Sequence, residues 1–233
     1  MTKDPGGKPC ADKRTLVAWA FYDWGNSAFS TIVTTFVFAA YFTDRIAPDQ
    51  KTGTFWWGLA VGVSGLFVAL TAPLVGAVID QAKRRKPWLA ASTLACAAAT
   101  GLLWFVKPGA DMVLPALLLA GIGSYASALA MMTYNALLPV LAPPDHIGRW
   151  SGWGWGLGYA GGLLCLVVAL LAFVRGGQPW IPLDRGTFQH VRASFPLAAL
   201  WYLVFGLPLL LSLSEATGER RPWGPALRDG WRQ

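Results

Sequence analysis

Charge is scarce in this chain. Asp, Glu, Lys and Arg make up 13% of its 233 residues, against roughly 25% in a soluble domain. Histidine occurs twice and cysteine three times. Cys10 lies in a polar head, and Cys96 and Cys165 lie inside apolar stretches, so there is neither metal-ligand spacing nor a disulfide framework. His146 beside Asp145, and His190, have no nucleophile in register with them. A Gly-Lys phosphate loop is missing, and the run Gly152–Gly158 follows no soluble strand, which excludes a dinucleotide fingerprint. The chain is therefore not expected to be an enzyme or to carry a cofactor or metal. A cleavable signal is lacking too. The first apolar stretch follows 15 polar residues, is too long for a signal core and ends without a small-residue cleavage site.

What the chain has is apolar length. Hydrophobic residues make up 55% of it, with 13 Trp and 26 Gly, a composition suited to membrane helices that tolerate glycine and place tryptophan at the headgroups. Apolar stretches recur at about 16–42, 55–79, 88–106, 112–138, 152–174 and 195–213. They are continuous rather than alternating, which disfavours a barrel. The expected fold is an all-α membrane protein, a bundle of six transmembrane helices over 16–213. It is flanked by a tail at 1–15 and a polar tail at 214–233, to which no fold is assigned. Trp56, Trp57, Trp88, Trp150 and Trp153 stand at stretch ends as interfacial anchors.

Basic residues orient the bundle. With the N-terminus in the cytoplasm, thirteen of the nineteen Lys and Arg fall on the cytoplasmic side, among them Lys13, Lys83–Lys86 and Arg149. The six on the other side are Arg45, Lys51, Lys107, Arg175, Arg185 and Arg192. This bias predicts both termini in the cytoplasm. It also accounts for the net charge of +7 without nucleic acid.

The first stretch carries a carboxylate. Its 27 residues span about 40 Å as a helix, enough to cross a ~30 Å hydrocarbon core. Asp23 costs roughly 2.5–3.5 kcal/mol at mid-bilayer, and Leu, Ile, Val and Phe return about 0.3–0.6 kcal/mol each. With ten such residues, insertion wins narrowly, provided Asp23 faces protein or water and not lipid. Asp23, Asn26, Ser27, Ser30 and Thr34 recur at spacings of three and four, within about 60° of one direction on a helix. The stripe reads as a solute pathway with Asp23 at its cytoplasmic mouth. Interhelical hydrogen bonding, or an aspartate hydrated at the interface, would also produce it. Tyr134 and Asn135 are placed at a similar depth on the fourth stretch and join the candidate pathway.

Two further patterns stand out. Gly76 and Asp80, followed by Arg84 and Arg85, lead from the second stretch into a basic loop. It reads as a conformational latch or as a simple topology anchor. Arg149 is expected to gate the cytoplasmic face by pairing with Asp23 or Asp80. On the fifth stretch, Gly154, Gly158, Gly161 and Gly162 leave one helix face bare for close packing, or for sliding during a conformational change.

The Gly76…Asp80…Arg84-Arg85 run resembles the loop motif of the major facilitator superfamily, with Gln81 and Lys83 as departures. WAFYDWGNSAFSTIVTTFVFAAYF, residues 19–42, resembles the first helix of that superfamily's vacuole-effluxer branch, the autophagy-related amino-acid effluxers and their bacterial relatives. YNALLPVLAPPDHIGRWSGWGWGLGYAGG, residues 134–162, resembles the same branch. The resemblance implies one six-helix half of a secondary transporter in a bacterial inner membrane, exporting small solutes and among them amino acids. It implies that a second six-helix half, whether another chain, an identical copy or a missing C-terminal half, completes the solute site. The bilayer and a small solute are then the other partners. The rival expectation is a non-transporting membrane scaffold or regulatory subunit.

Overall fold

A computed structural model describes residues 12–82, 85–175 and 179–213, the side chains of residues 80–82 excepted. Among the described residues the fold is helical and contains no strand. Helix α1, Lys13–Phe29, starts at Asp12, whose carboxylate accepts from the Arg14 amide. It runs on through a π-helical segment, Ser30–Phe36, a short α2, Phe38–Tyr41, and a second π segment, Phe42–Ile46. The long helices α3, Gln50–Ala82, α4, Arg85–Leu102, and α5, Val113–Leu141, follow. Next come α6, Ile147–Ala169, the four-residue α7, Gln189–Arg192, and α8, Ser194–Ser212. Because α3 runs on to Ala82, Gly76 and Asp80 stand on a helix, and the loop beyond it is shorter than expected.

Among the described residues, five helical segments are long and apolar enough to cross a membrane: Gln50–Ile79, Arg85–Phe105, Ala110–Leu141, Pro144–Val174 and Gln189–Ser212. The chain is a multi-pass integral membrane protein. The expected first crossing, 16–42, is not among these five. Its polar stripe lowers its hydropathy, and the structure shows why the stripe is tolerated. Helix α1 packs along α6 on one side and α8 on the other, so Trp19, Tyr22, Asp23 and Asn26 are all buried. A helix enclosed by helices need not be apolar on every face.

Helix α4 packs between α5 and α8, and α3 lies on the outer side of α5. Phe55, Leu66, Phe67 and Leu70 on α3, and Leu200, Val204 and Leu211 on α8, are exposed. An apolar surface of this kind suits lipid or a partner subunit. Inside, Tyr22 joins three helices: its hydroxyl is 2.6 Å from Thr93 Oγ1 on α4 and 2.7 Å from the Tyr202 hydroxyl on α8. Lys86 Nζ donates to the Leu213 carbonyl at 2.9 Å, tying the start of α4 to the end of α8.

At the opposite end Arg192 is buried, 4% exposed. Its Nε donates to the Trp104 carbonyl at 2.7 Å and its Nη1 to the Thr187 carbonyl at 3.2 Å, and its guanidinium lies over the Trp104 ring. The segment leading into α8 is thus clasped to the end of α4. Asp184 stabilises the turn before α7, accepting from the Gly186 amide at 2.9 Å and the Thr187 amide at 3.1 Å. The Thr187 hydroxyl and these two amides hold its carboxyl below the usual carboxylate range.

Candidate functional site

The polar stripe of α1 opens onto a cavity of about 490 Å³. Asp23, Asn26, Ser27, Ser30 and Thr34 all line it. Helix α3 adds Ser64 and Gly65, α5 adds Ser124, Ser127 and Met131, and α6 adds Trp155 and Tyr159. Four helices therefore surround one void, its wall mostly apolar but set with these polar side chains, and α4 and α8 stand behind it. Trp155 and Tyr159 are 61% and 66% exposed, so the void has an open rim.

Helix geometry explains the convergence. Ser30–Phe36 is wound as a π-helix, with the Val37 amide reaching the Ile32 carbonyl five residues back at 3.1 Å. The wider turn keeps Ser30 and Thr34 on the cavity side after Asp23 and Ser27. Such π segments inside helices occur often at functional sites. Ser30 satisfies its own hydroxyl by donating to the Ser27 carbonyl at 3.1 Å, and Ser127 donates to Asn26 Oδ1 at 3.4 Å.

Asp23 is satisfied only in part. It is 6% exposed and hydrogen-bonded by the Asn26 side chain, but its Oδ1 has no hydrogen-bond partner, and neither has the buried Tyr134 hydroxyl. Among the described residues no Lys, Arg or His lines the cavity. A buried carboxylate without a countercharge is costly. The expected Arg149–Asp23 pair does not form. Arg149 lines a different cavity, between the first turns of α1 and α6. The side chain of Asp80 and the whole of Arg84 lie outside the described residues. Gly76 is half-buried and Arg85 opens α4.

Helix α1 begins at Lys13, which puts Asp23 about 15 Å along it. Asn26 meets Ser127, midway along α5, so this part of the stripe stands at mid-bundle. Tyr134 and Asn135 do not line the cavity. Tyr134 is buried in an aromatic stack, its ring centroid 4.4 Å from Trp19 and 5.2 Å from Tyr22. It is near enough to Asp23 to interact electrostatically. Asn135 is exposed.

The four glycines all face α1. A Cβ at Gly158 would strike Asp23 Oδ2 and come within 2.9 Å of Ser27 Oγ. One at Gly154 would sit 2.9 Å from the Tyr134 hydroxyl, one at Gly162 2.5 Å from Thr31 Oγ1, and one at Gly161 on the Trp24 backbone. The bare face of α6 is what lets α1, and so Asp23, sit this deep.

Sequence reasoning missed Ser64, Trp155 and Tyr159 as cavity residues. Ser64 is an isolated hydroxyl in an apolar helix, a usable signal. Trp155 and Tyr159 are four apart on the face of α6 away from the glycines, but nothing in the sequence says that this face meets a void.

The family model described as "Vacuole effluxer Atg22 like" matches residues 55–233. It begins after α1, so Asp23 and its stripe precede the matched region. A similar curated protein is the uncharacterized MFS-type transporter YxiO of Bacillus subtilis (strain 168), 26% identical over 196 residues. The match covers 83% of this chain and 45% of YxiO, so the chain spans about half the length of that relative. The family match extends over about three quarters of the sequence, 55–233, and takes in α3 from residue 55 and α4 to α8 of the multi-pass bundle: this chain belongs to the vacuole effluxer Atg22-like family.

Proposed function

We propose that the chain is one six-helix half of a secondary-active transporter that moves small solutes, with amino acids as the substrate class and export as the direction. The segment 13–46 supplies the sixth crossing, sheltered by α6 and α8. Both ends of the described chain face the cytoplasm, in a bacterial inner membrane. The observation that carries this reading is Asp23, buried with a free carboxylate oxygen on a cavity that, among the described residues, no cationic side chain lines. The ammonium group of an amino acid, or a coupling cation, would supply the absent positive charge. Asn26, Ser27, Ser30 and Thr34, with Ser64 and Ser127 opposite, would orient the rest of the solute.

A second six-helix half closes the cavity from the open side, and alternating access follows from rocking one half against the other. The α3–α4 connection, with Gly76, Asp80, Arg84 and Arg85, serves as the latch for that motion. The test is flux of labelled amino acids into proteoliposomes holding the chain with its second half. Asp23→Asn should abolish flux in protein that still inserts. Undiminished flux in Asp23→Asn overturns the role given to Asp23. Lack of flux with every solute and partner points to a scaffold.

A further inference from the structure

A second cavity, of about 610 Å³, lies between the first turns of α1 and α6. The two helices run parallel here, since Gly154 faces Trp19 and Gly158 faces Asp23. Each contributes the same series to its wall. On α1 it is Lys13, Val17 and Phe21; on α6 it is Arg149, Trp153 and Leu157. In both, a cation stands at the helix start and apolar side chains follow one and two turns deeper, about 6 and 12 Å along the axis. Val17, Phe21 and Trp153 are 46%, 36% and 57% exposed, so the apolar part is an open groove.

Among the described residues the cationic end has no carboxylate partner: neither Lys13 nor Arg149 makes a hydrogen bond or ion pair, and none of those lining the cavity is acidic. Asp12 and Asp145 are at the same end but outside its wall. Helix α6 has no side-chain cap, and the 3-10 turn that leads into it, Pro144–His146, carries Asp145. The positive potential at this end therefore comes from the Lys13 and Arg149 side chains, which line the cavity where Asp145 does not. His146 on the rim adds a ring donor.

We infer that this groove binds one anionic phospholipid. Its phosphate sits between Lys13, Arg149 and the start of α6, and one acyl chain lies along Val17 and Phe21 on one side and Trp153 and Leu157 on the other. A free anion would use the upper end only and leave the apolar groove empty; an uncharged lipid would leave the two cations unpaired. The doubled series of cation, then apolar, then apolar matches an amphiphile. The site is separate from the Asp23 cavity and does not depend on the transport reading.

Lipid binding to the full chain, purified in mild detergent, can be counted by native mass spectrometry with phosphatidylglycerol and phosphatidylcholine. Phosphatidylglycerol should be preferred. Lys13→Gln and Arg149→Gln should each reduce its affinity about fivefold, the size expected for one cation at an anionic surface. Arg14→Gln, which removes the same charge one residue away and off the cavity wall, should change it little. Trp153→Phe should remove part of the fluorescence quenched by a bromine-labelled phosphatidylglycerol chain, which reports the acyl groove independently of charge. Equal losses in Lys13→Gln and Arg14→Gln would reduce the effect to general surface charge and overturn the site. So would displacement of phosphatidylglycerol by millimolar inorganic phosphate, which would make the ligand a soluble anion. Unchanged quenching in Trp153→Phe removes the acyl groove.

Discussion

The seam between α1 and α6 makes a graded demand on glycine, and alanine substitutions should read it out. At Gly161 a Cβ would fall 2.7 Å from the Trp24 Cα and onto its carbonyl oxygen. Both are backbone atoms, so no side-chain rotation relieves the clash. Restoring an ordinary contact of 3.4 Å to the Cα alone needs about 0.7 Å of separation between the helices, and the carbonyl oxygen, which is closer, needs more. Overpacking of this kind costs about 1–3 kcal/mol, and alanine recovers about 0.8–1 kcal/mol of helix propensity. Gly161→Ala should therefore destabilise by up to about 2 kcal/mol. Gly156, on the opposite face of the same helix, has nothing within 4 Å of its Cβ direction. Gly156→Ala should keep the propensity gain of up to about 1 kcal/mol. At about 2–4 °C per kcal/mol, the two variants should differ by several degrees in apparent unfolding midpoint, measured by intrinsic fluorescence in one detergent at one scan rate. Equal midpoints would refute the close seam and, with it, the account of how Asp23 reaches mid-bundle. Gly158→Ala is the informative intermediate. The atoms nearest its Cβ belong to the Asp23 and Ser27 side chains, so the protein should fold with a displaced carboxylate and impaired flux.

Four further outcomes follow from the same geometry. Asp23→Asn, which removes an unpaired buried charge, should leave the unfolding midpoint unchanged or raise it while abolishing flux; a large loss of stability would mean the carboxylate is structural. Tyr22→Phe breaks contacts to Thr93 and Tyr202 and should cost about 0.6–1.7 kcal/mol, the range for side-chain hydrogen bonds between membrane helices, in chemical denaturation. Arg192→Met strands the Trp104 carbonyl and should lower stability by about 1–3 kcal/mol, with proteolysis near residue 188 appearing first. The carboxyl of Asp184, held low by Thr187 and two amides, supports its turn fully above the unfolded value of about 3.9. That support is lost as pH falls through the lower folded value. Exchange protection of the Gly186 and Thr187 amides, corrected for intrinsic rates, should therefore be flat at neutral pH and fall only in strong acid. A loss near pH 6 would contradict the assignment.

The helical nature of the fold, and much of its site, could be read without coordinates. Long continuous apolar runs have no soluble solution, and backbone groups in lipid must bond within the helix, so the helices follow from composition. Asp23, Asn26, Ser27, Ser30 and Thr34 were legible as one face because periodicity is local. The four glycines were legible as a bare face for the same reason. Arg149 shows where that reasoning stops. Matching depth suggested a partner in Asp23, but depth fixes one coordinate, and direction around the helix axis placed Arg149 on another cavity. Tyr134 was misassigned for a similar reason: its hydroxyl read as a pathway group, whereas its ring is held between Trp19 and the helices behind it.

Local periodicity and hydropathy thus determined, by themselves, that this is a helical membrane bundle with a polar face on its first helix, because both depend on residues within a few turns of one another. Which helix that face meets was decided only in three dimensions. The choice between lipid, a salt bridge and an open cavity for Asp23 depends on how far α1 sinks between α6 and α8. That depth is set by contacts between residues more than a hundred positions apart, such as Gly158 against Asp23, which no local pattern encodes.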